Sequence, residues 1–213
     1  NNYEPVMMSL VDPQEAKKRN EVNILGIDVL CGTPILELKN KLREAQVYDA
    51  RLSAFSTNAK YWLDLKTICE GEVFVDRIEY LGGHFPDFQF DYILLGKPIN
   101  AYNDPFKLLQ EILKLIKKDG HLLVKLRNTY DALTLLTAMG GNVGMGKDAQ
   151  VDNFAVSHLR IDELINQLNH LGFTHKKIAL EFFNLGGKIE KIVRDLITNT
   201  GIGTDPNEAF TRA

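Results

Sequence analysis

Residues 23–34, Asn-Ile-Leu-Gly-Ile-Asp-Val-Leu-Cys-Gly-Thr-Pro, constrain the fold of this chain more than any other stretch. Ile24, Leu25, Ile27, Val29 and Leu30 form a nearly continuous apolar run, which suits a strand covered on both faces in a parallel sheet rather than one alternating between core and water. Cys31-Gly32-Thr33-Pro34 then turns the chain. Pro34 fits a first helical turn because its missing N–H would have no partner there, so a helix is expected over 35–45. In an open α/β sheet, ligands bind beyond the carboxyl ends of the strands, where helix N-termini face them. The ligand site is therefore expected at this turn.

The rest of the chain repeats the strand–helix alternation. Residues 1–22 carry Pro5, Asp12-Pro13 and a charged run, and read as a lead-in with one short helix. One domain is expected over 23–213. A short second strand is expected at 46–49 and a helix over 53–68 with Phe55, Ala59, Trp62, Leu63 and Leu65 as its apolar face. A third strand is expected at 73–75, a loop at 82–86 and a fourth strand at 90–95. Asp104-Pro105 has the chemistry of a helix start, an N-cap side chain followed by proline, and the helix should run to about Lys117. Asp119-Gly120 then turns the chain into a fifth strand at 121–126. A helix at 130–139, a glycine-rich loop at 140–151, a helix from Ile161 to Leu171, a sixth strand at 173–183 and a last helix at 188–198 complete the reading. The expected fold class is α/β, with a doubly wound, mainly parallel sheet.

With 213 residues and 45% hydrophobic content, the chain can bury a full core. A net charge of −3 gives no bulk reason to expect nucleic acid or an anionic membrane as partner. Cys31 and Cys69 are the only cysteines and lack the spacing of a zinc or redox motif, so a reduced, cytoplasmic setting is expected. No apolar run reaches the roughly 18 residues of a membrane span, and the N-terminus lacks a signal-peptide pattern. The first residue is Asn1, which suggests an excised or processed chain, with a partner domain in a larger protein as one expectation.

Three segments resemble class I S-adenosylmethionine-dependent methyltransferases, over roughly residues 15–205. Residues 27–34 resemble the family's acidic-x-Gly-x-Gly-x-Gly turn, 90–95 its fourth strand, and 104–124 the helix, turn and fifth strand that follow. Residues 158–173 also resemble a helix of methyltransferase domains associated with bacterial glycosyltransferases. The resemblance implies a Rossmann-like methyltransferase fold and S-adenosylmethionine as cofactor. It places Asp28 at the acidic position, Leu30 and Gly32 in the cofactor turn with Pro34 at the third glycine position, and Asp49 and Arg51 at the end of the second strand, where the family uses a carboxylate for the ribose. Arg77, with Asp76 and Glu79 as neighbours, falls where an acidic residue meets the adenine, and Lys97 falls after the fourth strand. Glycines are thus replaced by bulk and carboxylates by cations, so the motifs are expected to be degenerate. The family's seventh, antiparallel strand has no apolar run left to supply it.

Other patterns carry less. Residues 141–147 match the glycine–lysine spacing of a phosphate-binding loop, but Asp148 stands where Ser or Thr is needed and no strand precedes the segment. None of the five histidines pairs at metal-ligand spacing. His158, before a helix at the expected mouth of the sheet, is the candidate general base. Arg51, Arg77 and Lys97 allow a site for an anionic ligand such as a phosphorylated or nucleotide-linked sugar, or else they pair with Asp28, Asp49 and Asp76. Two functions are expected: methyl transfer to a sugar or small metabolite through a weakened cofactor site, or a non-catalytic methyltransferase-like domain of a glycosyltransferase-type protein that scaffolds or binds an anion.

Overall fold

The computed structural model describes residues 7–127, 159–173 and 177–179. The expected helices at 130–139 and 188–198, the loop at 140–151 and most of the sixth strand lie outside these residues. The described chain forms α1 (Pro13–Ala16), β1 (Val22–Ile27), α2 (Thr33–Glu44), β2 (Ala50–Ser56), α3 (Trp62–Ile68), β3 (Val73–Val75), α4 (Leu81–His84), β4 (Phe90–Leu95), α5 (Pro105–Leu115), β5 (Ile116–Leu123) and α6 (Ile161–His170). The five strands pair in the order β3-β2-β1-β4-β5, every pair parallel.

The sheet is covered on both faces, as the apolar run in β1 requires. Ile24, Leu52, Ala54 and Leu94 pack with Ile35, Leu38 and Leu42 of α2 and Leu65 of α3 on one side. Leu25, Ile27, Phe55, Ile93 and Leu95 pack with Leu109, Ile112 and Leu115 of α5 and Leu164 of α6 on the other. The lead-in belongs to the first layer through Met7, Met8, Val11 and Ala16. β1 leads outward through β2 to β3, and β4 then returns to the other side of β1. The switch point therefore falls between β1 and β4, where this topology opens a crevice at the carboxyl edge.

The loop expected at 82–86 is in part the short helix α4, Leu81–His84, and two larger expectations are corrected. The second strand is Ala50–Ser56, not 46–49, and the segment expected as helix from Ser53 becomes helical only at Trp62, after a short 3-10 turn at Ala59–Tyr61. Gln46 takes a left-handed backbone that breaks the chain there, and Ala50 then pairs with Val22, Leu52 with Ile24 and Phe55 with Ile27. Pairing with the central strand overrode a helical periodicity in which Phe55 is in fact a strand residue, while Trp62 and Leu63 lie exposed. Secondly, α5 ends at Leu115 and β5 begins at once with Ile116, which pairs with Phe90. A register shift between Phe90 and Tyr92 absorbs the segment expected as a turn at Asp119-Gly120.

At the amino edge of the sheet, Asp91 of β4 is buried and binds three donors. It accepts from the Arg19 guanidinium, from Lys117 Nζ at 2.9 Å and from the Asn23 backbone N–H at 2.8 Å. Arg19 also donates to the Asp119 carbonyl at 2.7 Å and its carboxylate at 2.9 Å. This cluster ties the lead-in to β1, β4 and β5.

Candidate functional site

The carboxyl edge between β1 and β4 is capped by an irregular turn. After β1, Asp28, Leu30 and Gly32 all take positive φ, at 51°, 54° and 92°. Such a conformation is costly for a leucine, of order 1–2 kcal/mol. The Leu30 side chain is 51% exposed, so no core packing rewards it. Gly32 is needed on two counts, its left-handed backbone and a close approach of α3: a Cβ there would press on the Ile68 side chain and lie 3.3 Å from Leu65 Cδ2. Gly96, just after β4, donates its N–H to the Ile27 carbonyl at 2.8 Å. A Cβ on Gly96 would lie 2.6 Å from Val29 Cα and closer still to the Asp28 carbonyl, so this contact brings the following residue, Lys97, over the turn.

Asp28 is the centre of what results. Its side chain is only 2% exposed. Oδ1 accepts from the Thr57 N–H at 2.7 Å and the Thr57 hydroxyl at 2.8 Å, and Oδ2 accepts from Lys97 Nζ at 2.9 Å. Lys97 also donates to Thr57 Oγ1 at 3.0 Å and lies 5.7 Å from the centre of the Tyr102 ring. The Tyr102 hydroxyl is buried without a hydrogen bond of ordinary geometry. Burial, and then the negative charge of Asp28, hold its pKa well above the usual phenol value.

Along the same edge, β2 ends at Ser56, whose hydroxyl donates to the Asn58 carbonyl at 3.0 Å and accepts from the Asn58 N–H at 3.1 Å. Asp76, directly after β3, donates its N–H to the Ser56 carbonyl at 3.2 Å. Its carboxylate meets His84 Nε2 at 2.8 Å and accepts from the Arg77 N–H at 2.7 Å, and these bonds hold its pKa below the ordinary carboxylate value. The His84 ring packs on Phe74 and Phe55, with centroids 4.6 and 5.7 Å away.

Asp28, Leu30, Gly32, Asp76, Arg77 and Lys97 therefore gather at the carboxyl edge as the sequence suggests. Asp49 and Arg51 do not. With β2 starting at Ala50, they sit at the opposite, amino edge, lining a polar cleft of about 480 Å³ with Glu21, Lys39, Tyr48 and Glu70. The cationic trio is accordingly dispersed: Lys97 pairs with Asp28, Arg77 faces Glu79 at 3.4 Å, and Arg51 reaches the Glu70 carbonyl at 3.4 Å. His158 lies outside the described residues. Thr57, Tyr102 and the Asp76–His84 pair were missed by the sequence reading, the first because β2 was misplaced and the others because only folding brings them to the edge. Among the described residues, no group of three histidine, cysteine or acidic side chains could hold a metal ion. No described helix is long and apolar enough to cross a membrane.

The two cysteines differ sharply. Cys31 is exposed in the turn, its Sγ 3.5 Å from Thr33 Oγ1. Burial, and then the charge of Glu70, push the Cys69 thiol up to about 12. Maleimide at pH 8 is therefore expected to modify Cys31 at least ~100-fold faster than Cys69 in the folded protein. Mass spectrometry of the labelled peptides checks this, and equal rates would contradict the placement of α3.

A five-stranded parallel sheet in this order, flanked by helices and opening at β1 and β4, defines the Rossmann-like methyltransferase fold. No protein-family model matches the sequence, and no curated protein does. Solved structures do match. The YcgJ protein from Bacillus subtilis aligns with a TM-score of 0.61 at 15% identity, over 93% of this chain and 85% of its own. A SAM-dependent methyltransferase from Archaeoglobus fulgidus aligns with a TM-score of 0.52 at 14% identity, over 92% and 87%. The plantazolicin methyltransferase BamL, solved with SAH, aligns with a TM-score of 0.55 at 13% identity, over 95% and 78%. At these identities the likeness establishes the fold.

Proposed function

We propose that this chain is a methyltransferase-fold domain whose S-adenosylmethionine site is closed to the ordinary cofactor, and that it serves as a non-catalytic module, a scaffold or contact surface for a partner domain of a glycosyltransferase-type protein. The observation that carries this reading is the Asp28–Lys97 pair: the buried carboxylate of the turn is satisfied from within the chain, and a fixed ammonium stands over the crevice where a sulfonium would have to approach. Two further features support it. Leu30 projects from the turn where the family's glycine would leave room. The end of β2 presents Ser56, whose hydroxyl is occupied by Asn58, in place of the carboxylate that would hold a ribose. These residues do not fit the cofactor.

A second reading, methyl transfer to a sugar or small metabolite, is favoured by two specific observations. Gly32 keeps the left-handed turn and Asp76 stands directly after β3, so the two ends of the family's binding track are present. In that reading His158 is the proposed base. Thermal melting separates the two. A ligand bound at micromolar affinity and supplied at 1 mM would stabilise the protein by about 4 kcal/mol. For a chain of this length that raises the melting temperature by roughly 10 °C. The first reading expects no change with S-adenosylmethionine or S-adenosylhomocysteine, and such a rise would establish the second.

A further inference from the structure

We propose that Lys97 determines the charge of the group that the β1–β4 crevice accepts: its ammonium occupies a cation site built by Asp28, Thr57 and Tyr102, and thereby excludes a ligand's positive group. The inference rests on the reading that the cofactor site is closed, and names the residue that closes it. The site has the chemistry of cation recognition. A carboxylate with almost no exposure supplies the charge, a hydroxyl supplies a second acceptor at 3.0 Å, and an aromatic ring lies 5.7 Å from the nitrogen. Those groups come from three different segments, after β1, after β2 and after β4, so local chain geometry alone does not bring them together.

Lys97 enters from the solvent side. Its side chain is 41% exposed while the carboxylate it covers is buried, so the ammonium forms the outer wall of the site rather than its floor. The Gly96 contact with Asp28 and Val29 fixes where this wall stands. A positive ligand group would have to displace an ammonium already bound by charge and hydrogen bonds, and would meet its repulsion on the way in. With the ammonium removed, Asp28 is left buried without a positive partner, and an incoming cation regains what Lys97 supplied.

The test is titration calorimetry of the whole chain carrying Lys97→Met, which keeps an apolar stem and removes the charge. The probes are S-adenosylmethionine, which carries a sulfonium and an α-ammonium, and S-adenosylhomocysteine, which keeps the α-ammonium and has a neutral thioether in place of the sulfonium. The proposal expects Lys97→Met to bind S-adenosylmethionine at least ~10-fold tighter than the wild type does, with a smaller gain for S-adenosylhomocysteine. Adding Asp28→Asn should abolish that gain. Gains that persist in the Asp28→Asn background would show relief of bulk instead of charge, and no gain in a variant with wild-type circular dichroism would likewise overturn the proposal. Lys97→Gln, which retains a donor toward Asp28, is the second variant should the methionine form fail to fold. The reading of a closed site is judged on the wild type alone, so its failure is distinguishable from failure of the Lys97 assignment.

Discussion

Gly96→Ala is expected to destabilise the protein by about 3 kcal/mol or more, with a melting temperature lower by roughly 10 °C. The added methyl would lie 2.6 Å from Val29 Cα and nearer still to the Asp28 carbonyl, and both are backbone. A flexible side chain could swing away, but backbone atoms move only if the turn moves. The turn is held by the Asp28 N–H bond to Phe55 at 2.8 Å and the Gly96 N–H bond to Ile27 at 2.8 Å, so β1, β2 and β4 would all be disturbed. By contrast, an added methyl at Gly83 meets nothing within 4 Å, and Gly83→Ala should melt within about 0.5 kcal/mol of wild type. Chemical denaturation of the two variants side by side checks the difference. Equal stability would show that β4 does not approach the turn as closely as described.

Asp91→Ala is expected to cost about 3 kcal/mol, for a different reason. The carboxylate is buried and bridges Arg19, Lys117 and the Asn23 N–H, and its removal leaves two positive charges and one backbone donor without their shared acceptor. Truncating one member of a buried charge cluster typically costs 3–5 kcal/mol; the partial exposure of Arg19 and Lys117 places the expectation at the low end. Because Arg19 lies in the lead-in, this variant should also loosen residues before β1, seen as faster amide exchange there and at the start of β1. A loss below about 0.5 kcal/mol would mean that the cluster is ornamental and that apolar contacts alone dock the lead-in.

The fold was legible where burial dictates composition. The nearly continuous apolar run of β1, the six buried residues of Phe90–Leu95 and the Asp104-Pro105 helix start, whose aspartate does accept from the Lys107 N–H at 3.0 Å, all stand where the sequence places them. It was least legible at β2. Residues 53–56 read as the start of a helix because Phe55, Ala59 and Trp62 are helically spaced, and only pairing with β1 makes them part of a strand. That single shift moved the site: with β2 misplaced, Asp49 and Arg51 fell at its end, whereas the folded chain puts Ser56 and Thr57 there. Asp28 was found from its motif position. Its occupancy by Lys97 and Thr57 is a tertiary fact that spacing does not encode, since the three residues are separated by up to 69 positions.

The function of this domain turns on whether the cofactor position between β1 and β4 is already filled by the chain's own Lys97. Isothermal titration of the unmodified protein with S-adenosylmethionine tests this most directly. The proposed closed site predicts no heat of binding at millimolar ligand, with S-adenosylhomocysteine equally silent. Saturable binding of S-adenosylmethionine in the micromolar range would contradict it, showing that the Asp28–Lys97 pair opens for the cofactor and that the domain retains the means to transfer a methyl group.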